Sequence, residues 1–351
     1  MDPKKVEAFV GKVLGDTAGS MVTVLAIIGD RLSLFKNLAE KGPATSEELS
    51  QRAGIQERYA REWLGGMAAA GYLTYEGKTK RFTLPPEHAP VLAQENGPFY
   101  FGGAHQMISS LMGVIDEVTE AFRKGGGVLQ SRYSSHMWDG MERFTSGWFE
   151  NFLTQVWIPA MPDVQQKLER GTQMADVGCG RGRALIKLAE AFPKSRFVGY
   201  DAFGPTVQHA RERAEAAGVS DRVSFEERDV SKAIPEKYDI ISTFDVIHDS
   251  ADPQGLLETI RRGLKDDGIY VCLDINASHD LEDNLNPLGA FFHGTSVLYC
   301  MTTSLANGGV GLGTLGFNEK TAREMCAKAG FSEVKRLPLE NPFNIVYEIR
   351  P

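Results

Sequence analysis

"DVGCGRGRA", residues 176–184, decides how the second half of this chain is built. Gly178, Gly180 and Gly182 recur at every second position, an acid (Asp176) stands just ahead of them, and the apolar run "MADV" (174–177) leads in. Glycine permits a tight turn and a close backbone approach that a Cβ would block. A dinucleotide fingerprint requires Gly-x-Gly-x-x-Gly or Ala at the start of a helix. Counted from Gly178, the last required position holds Arg183, so the spacing fails and a nicotinamide oxidoreductase is disfavoured.

Working outward from this loop, strand-like and helix-like segments alternate. "MADV" is followed by a helix from about residue 183, with Leu185 and Leu188 facing inward. "RFVGY" (196–200), "RVSFEE" (222–227), "YDIISTFDVI" (238–247) and "GIYVCLDI" (268–275) read as four further strands. Helical stretches separate most of them. Such alternation implies a parallel sheet covered on both faces. "EKTAREMCAKAG" reads as a last helix, and "EVKRLPLENPFNIVYEI" as two strands joined by a Pro-bearing turn, giving an antiparallel terminal hairpin. In open sheets of this kind, ligands sit beyond the carboxyl ends of the strands at the switch point.

The loop resembles motif I of class I S-adenosylmethionine-dependent methyltransferases, acid-x-Gly-x-Gly-x-Gly. Asp201 ends the second strand and Asp229 follows the third, so acids stand at successive strand ends behind the loop. Taken singly, each acid also reads as a solvated strand-end or capping residue. The resemblance implies S-adenosyl-L-methionine as cofactor, held by Asp176, Gly178, Gly180 and Gly182. In the family's roles, Asp201 accepts from the ribose hydroxyls and Asp229 from the adenine amino group, with Val230 against the ring. Ala202 and Phe244 are also expected at the cofactor, and Asp245, near its amino-acid end, binds the ammonium or the acceptor or is a structural carboxylate bonding loop amides. It implies an α/β, Rossmann-like, seven-stranded methyltransferase sheet, and the product S-adenosyl-L-homocysteine. Over essentially the whole chain, "QERYAREWL", "LPPEHA", "GGGV", "FDVIHDSADP", "EDNLNPLG" and "CMTTSLANGGVGLGT" are similar to a mycobacterial-type bacterial small-molecule methyltransferase group related to winged-helix O-methyltransferases.

His248 follows the fourth strand. Plant-type O-methyltransferases have a His-Asp pair there, which makes His248 the general base and Asp249 its neighbour. Those enzymes continue with Trp, whereas Ser250 and Ala251 follow here, so the acceptor pocket differs. A neutral imidazole, with a reference pKa of about 6.5, can take a proton from an attacking hydroxyl. A helix cap, or packing against the cofactor, is the alternative reading. No two-His-one-carboxylate spacing occurs, and no metal is expected. The insertion at about 278–317, apolar and Gly-rich, reads as a lid over the acceptor. It makes Phe292, His293, Tyr299 and Met301, together with Tyr133 and Trp138 upstream, candidate substrate contacts, with core packing as the alternative for each. Cys300 reads as a reactive or an inert thiol.

The first half has a different grammar. Val6, Phe9, Val10, Val13 and Leu14 form one helical stripe that seeks either its own core or another subunit. "TSEE" (45–48) reads as a capping box at Thr45 and Glu48, and a second helix over about 56–70 turns Tyr59, Trp63, Leu64 and Met67 inward. "YLTYEGKTKRFTL" reads as a hairpin. Helix, turn, helix and β-ribbon make a winged helix. The expected domains are a winged-helix/dimerisation domain at 1–88, a helical connector at 89–170 and the cofactor-binding domain at 171–351. The reading helix balances Arg58 and Arg61 with Glu57 and Glu62, and the chain has 38 basic against 46 acidic residues, net −8. Phosphate contacts supply most DNA affinity, so a homodimer with a small-molecule acceptor is expected ahead of nucleic acid. A cofactor-sensing winged-helix regulator is the rival. "MVTVLAII" is too short to span a bilayer. Four scattered cysteines indicate neither a disulfide framework nor a zinc ribbon, so a cytoplasmic location is expected.

Overall fold

The computed structural model describes residues 1–351 and divides into two compact units, Met1–Ser110 with Ser134–Trp148, and Leu111–Tyr133 with Phe149–Pro351. The three-part division expected from the sequence is drawn differently, because the stretch 89–170 is shared between the units.

In the first unit α1 (Pro3–Arg31) is capped by Asp2, whose side chain accepts from the Lys4 amide. It is followed by α2 (Leu34–Lys41), α3 (Ser46–Ala53), α4 (Glu57–Ala69) and an antiparallel ribbon of β1 (Thr74–Glu76) and β2 (Arg81–Thr83). The Thr45–Glu48 capping box is present at α3. Trp63, Leu64 and Met67 of α4 enter a core with Leu34, Phe35, Leu38 and Leu49. Tyr59 does not, being 78% exposed, and Ala60 takes the inward place on that turn. Arg61 is tied to Glu57 at 2.9 and 2.7 Å, and Arg58 pairs with Glu62. The basic side chains of this helix are thus engaged by its own acids. The unit also takes in α5 (Ala89–Leu92), α6 (Gly102–Leu111, to Ser110) and α8 (Ser135–Trp148), while α7 (Ile115–Lys124) belongs to the second unit.

The run "MVTVLAII" is only part of α1, whose 29 residues are long and apolar enough to cross a membrane by length and composition. Only Ala26, Ile27 and Gly29 of the helix are buried, and the stripe from Val6 to Leu14 faces outward, with Phe9 64% and Leu14 68% exposed. The stripe does not find its partner within the chain.

The second unit is built on a seven-stranded sheet: β3 (Gln173–Val177), β4 (Arg196–Asp201), β5 (Val223–Glu227), β6 (Tyr238–Phe244), β7 (Leu264–Ile275), β8 (Glu333–Arg336) and β9 (Asn344–Arg350). The spatial order is 5-4-3-6-7-9-8, with the first five strands parallel and the last two forming the antiparallel hairpin. The order reverses between β3 and β6. Helices α9 (Pro162–Arg170), α10 (Arg183–Ala191), α11 (Gly204–Ala216) and α12 (Pro253–Gly263) accompany the strands. Strand β6 stops at Phe244 rather than running to Ile247, because Asp245 takes φ +57°, a left-handed conformation that breaks the ladder. The insertion is helical, comprising α13 (Pro287–Thr295), a π-helical turn at Ser296–Cys300 and α14 (Met301–Ala306), before α15 (Glu319–Lys328).

Candidate active site

The glycine loop leaves β3 at the switch point. Its turn is fixed by the Gly178 and Cys179 amides donating to the Tyr200 carbonyl, 2.8 and 3.1 Å, and by the Gly182 amide donating to the Cys179 carbonyl, 2.9 Å. All three glycines have positive φ, for different reasons. A Cβ on Gly178 would meet Val246 at 2.6 Å, and one on Gly182 would meet Phe225 at 2.4 Å, so these two positions pack. A Cβ on Gly180 would meet nothing within 4 Å, so this glycine borders open space that a ligand can fill.

Asp201, at the tip of β4, is joined to that loop. Its Oδ2 accepts from the Gly180 amide at 2.9 Å and its Oδ1 from the Phe203 amide at 2.9 Å, which leaves lone pairs for diol hydroxyls. Burial nonetheless raises its pKa, partly countered by those two amides. Ala202 is the exposed residue after it. Asp229 is exposed beyond β5, and its Oδ1 accepts from the Ser231 amide at 2.9 Å. Val230 packs instead into the hydrophobic cluster with Val177 and Ile241, so its side chain is committed to the core. Asp176 lies beneath the loop, accepting from the Ser242 hydroxyl at 2.7 Å, and burial pushes its pKa up to about 7. It supports the loop from below and is not open to a ligand. Glu150 pairs with Arg183 and Lys187 at the start of α10, at 3.1 and 2.6 Å, and Phe149 stands edge-on to Phe244, ring centres 5.3 Å apart.

Beyond β6, a single turn (Ile247–Asp249) carries His248. The imidazole is 3% exposed. Its Nδ1 is 2.6 Å from Asp274 Oδ1, on β7, and its Nε2 is 3.3 Å from Asp249 Oδ1. Asp274 Oδ1 also accepts from the Ile275 amide at 2.8 Å, while Asp274 Oδ2 and Asp249 Oδ1 are buried without a hydrogen-bond partner. Asp245 Oδ1 accepts from the Asn344 amide group at 2.7 Å. Burial, reinforced by the Asp274 charge, pushes Asp245 up to about 8. Burial also raises Asp249, with His248 countering. For His248 burial acts downward, but the Asp274 and Asp249 carboxylates and the bond to Asp274 overcome it and hold the pKa well above the usual imidazole value. The two carboxylates thus make the ring a stronger base than the imidazole of ordinary pKa expected from the sequence.

The insertion brings Cys300 to the same place. His248, Asp249 and Cys300 have donor atoms within 4.8 Å of one another, as do Asp245, His248 and Asp274. These are ligand types that zinc accepts. The Cys300 thiol is inert, since burial and the Asp249 charge push its pKa up to about 12. Tyr299 is buried next to Cys300, edge-on to Tyr133 at 5.2 Å, and the Tyr133 hydroxyl donates to the Leu298 carbonyl at 2.6 Å. Phe292 is buried against Phe343, His293 is exposed on α13, and Met301 is half-buried at the start of α14. Trp138 is half-buried on α8 in the first unit. Sequence reasoning missed Asp274. The available signal was an acid inside the otherwise apolar run "YVCLDI", which a buried strand tolerates only if the charge is paired.

Comparison with known proteins agrees with this geometry. Residues 168–314 match a family described as a methyltransferase domain, and residues 20–94 match an Rv2258c-like winged HTH domain. The polyketide synthase ThaQ of Burkholderia thailandensis is 30% identical over 115 residues, 32% of this chain and 6% of that protein. Methyltransferase ungE' of Aspergillus campestris is 29% identical over 113 residues, 31% and 33% of the two chains. The chain thus spans one third or less of these two relatives. Human N-acetylserotonin methyltransferase, solved with S-adenosylmethionine, superposes with a TM-score of 0.72 at 17% identity over 97% of both chains, a likeness of fold. Gly180's open flank and the Asp201 carboxylate beside it fit that cofactor. Residues 168–314 thus carry a methyltransferase domain and residues 20–94 an Rv2258c-like winged HTH domain, on a fold shared with S-adenosyl-L-methionine-dependent O-methyltransferases.

Proposed function

We propose that this chain transfers a methyl group from S-adenosyl-L-methionine to a hydroxyl of a small apolar or aromatic molecule, with His248 as general base. The observation that carries this reading is the 2.6 Å pairing of His248 with Asp274, beside the strand that bears the glycine loop. The cofactor supplies an activated sulfonium methyl, ready for in-line displacement. The chain's own work is to hold and align. Gly180 leaves room for the nucleoside, Asp201 accepts from the ribose hydroxyls, Asp229 accepts from the adenine amino group, and alignment supplies the larger part of the acceleration. Asp274 engages Nδ1 of His248, so Nε2 is the atom that takes the acceptor's proton. Asp249 Oδ1, buried and unpaired next to Nε2, offers the acceptor a second contact.

Tyr133, Tyr299 and Cys300 are the insertion-side residues proposed to wall the acceptor, and the transfer is proposed to be metal-independent. DNA is not a proposed partner, because the arginines of α4 are held by its own glutamates. A second copy of this chain is proposed to cover the exposed stripe of α1, and the four free cysteines suit a reducing compartment. The test is incubation with isotopically labelled cofactor and a panel of phenols, thiols and acids, reading products by mass spectrometry. Methyl ethers of phenols are expected. Methylation confined to thiols or acids would overturn the base assignment.

A further inference from the structure

The first unit holds a cavity of about 300 Å³, bordered by Tyr72, His88, Val91, Leu92, Phe101 and His105. Its volume lies at the small end of the range for ligand pockets, about 300–1,000 Å³. The border comes from the turn after α4, from α5 and from the neighbourhood of α6, and it contains no Lys, Arg, Asp or Glu.

Two imidazoles set the chemistry. His88 Nδ1 lies 2.9 Å from the Tyr72 carbonyl oxygen and can only donate to it, so in the neutral ring Nε2 is an acceptor. His105 is 8% exposed, stands edge-on to Phe101, and neither of its ring nitrogens is hydrogen-bonded by the protein. Two other polar side chains of this unit find protein partners, Trp63 Nε1 donating to the Leu25 carbonyl at 2.8 Å and the Tyr100 hydroxyl to Asp30 at 2.6 Å, whereas Asn37 Oδ1 is buried without one. Leaving a buried polar group without a partner is costly, so such a group facing a cavity points to what occupies it. Burial holds the His105 pKa down, which keeps the ring neutral, with one donor and one acceptor.

We propose that this cavity is a second small-molecule site, which takes an uncharged one- or two-ring aromatic molecule bearing a hydroxyl or ring N–H. The rings lie against Val91, Leu92 and Phe101, and the polar group bonds to His105 and to Nε2 of His88. The absence of charged residues from the border selects against acids and amines. The site is independent of the methyl-transfer reading, and its ligand need not be the methyl acceptor.

The probe is 2-naphthol, with 2-methylnaphthalene as a control of similar shape that lacks the hydroxyl. Titrations use the full chain with ¹³C-labelled Val and Leu methyl groups, which report position. Val91 and Leu92 signals are expected to shift saturably with 2-naphthol and several-fold more weakly with the hydrocarbon. His105→Phe keeps the ring but should abolish that preference. Val91→Trp, a change at the partly exposed rim, should remove the shifts altogether and serves if the first variant does not fold. Static Val91 and Leu92 signals, including the case where naphthol binds elsewhere, would overturn the proposal. So would equal affinity for the two probes.

Discussion

His248 on the turn after β6 and Asp274 on β7 face each other across 2.6 Å, both buried, with no other charged donor on the aspartate. The pair behaves as a unit, and a proton arriving at Nε2 is stabilised by the carboxylate behind Nδ1. Since that carboxylate raises the imidazole pKa, the base-competent form is lost as pH falls through the raised value. kcat/KM should therefore climb with pH, with a midpoint above the usual His value of about 6.5. Asp274→Asn removes the charge but keeps the size, and should move the midpoint down while lowering kcat. The check is a pH–rate profile of both proteins, and an unmoved midpoint would detach Asp274 from the chemistry.

Removing the imidazole separates chemistry from cofactor binding. His248→Ala should slow turnover by roughly 10²–10⁴-fold, the usual contribution of a positioned general base, and leave the cofactor Kd unchanged. The same cluster could hold zinc through His248, Asp249 and Cys300. Metal-independent transfer predicts that EDTA dialysis leaves kcat intact and that the purified protein carries far less than one equivalent of zinc. Activity restored only by added zinc would reassign His248 from base to ligand.

What could be read in the sequence follows from which signals are local. The five parallel strands and the terminal hairpin emerge because buried strands are short apolar runs with turn residues between them. The glycine loop is legible because its φ values are demanded at fixed spacing. Asp274 is a tertiary fact. Its partner lies 26 residues away, and only the β6–β7 register brings the two together. The end of β6 at Phe244 depends on one left-handed residue, Asp245, which composition does not mark. The π-helical turns at Phe149–Trp157 and Ser296–Cys300 leave no periodicity a sequence reading can detect. Helix α1 runs well beyond the stripe at 6–14, through Gly15 and Gly19, each unfavourable in a helix by about 1 kcal/mol against Ala, which weakens the helical signal past Leu14. Tyr59 satisfied the inward spacing of α4, yet the wide core face was filled by Trp63 and Met67.

Cofactor binding can be probed at two adjacent points with different expected faults. Asp201→Ala should weaken S-adenosylmethionine binding by about 1.5–3 kcal/mol, the range for hydrogen bonds to a charged group. Part of the loss comes from the freed Gly180 amide, which Asp201 orders. Gly180→Ala meets no protein atom within 4 Å, so it costs only the strain of a side chain at φ +51° while the added methyl intrudes on the nucleoside. Gly182→Ala instead strikes Phe225 and should lower Tm first. Calorimetric titration with a parallel thermal melt distinguishes the two. Equal cofactor affinity in Gly180→Ala and the parent would place the ligand elsewhere.

The exposed stripe of α1 makes the last prediction. Phe9, Val10 and Leu14 stand in solvent in the single chain, and each large apolar side chain gains about 1.5–3 kcal/mol when fully buried. Three or four such residues from each of two copies suffice to offset much of the entropy lost on association. A Phe9→Glu/Leu14→Glu variant changes no buried contact within the chain, so its methyltransferase domain should melt unchanged. Light scattering should give twice the chain mass for the parent and one chain mass for the variant. Co-flotation of the parent with lipid vesicles, abolished by the same substitutions and without a dimer in their absence, would assign the stripe to a membrane surface instead.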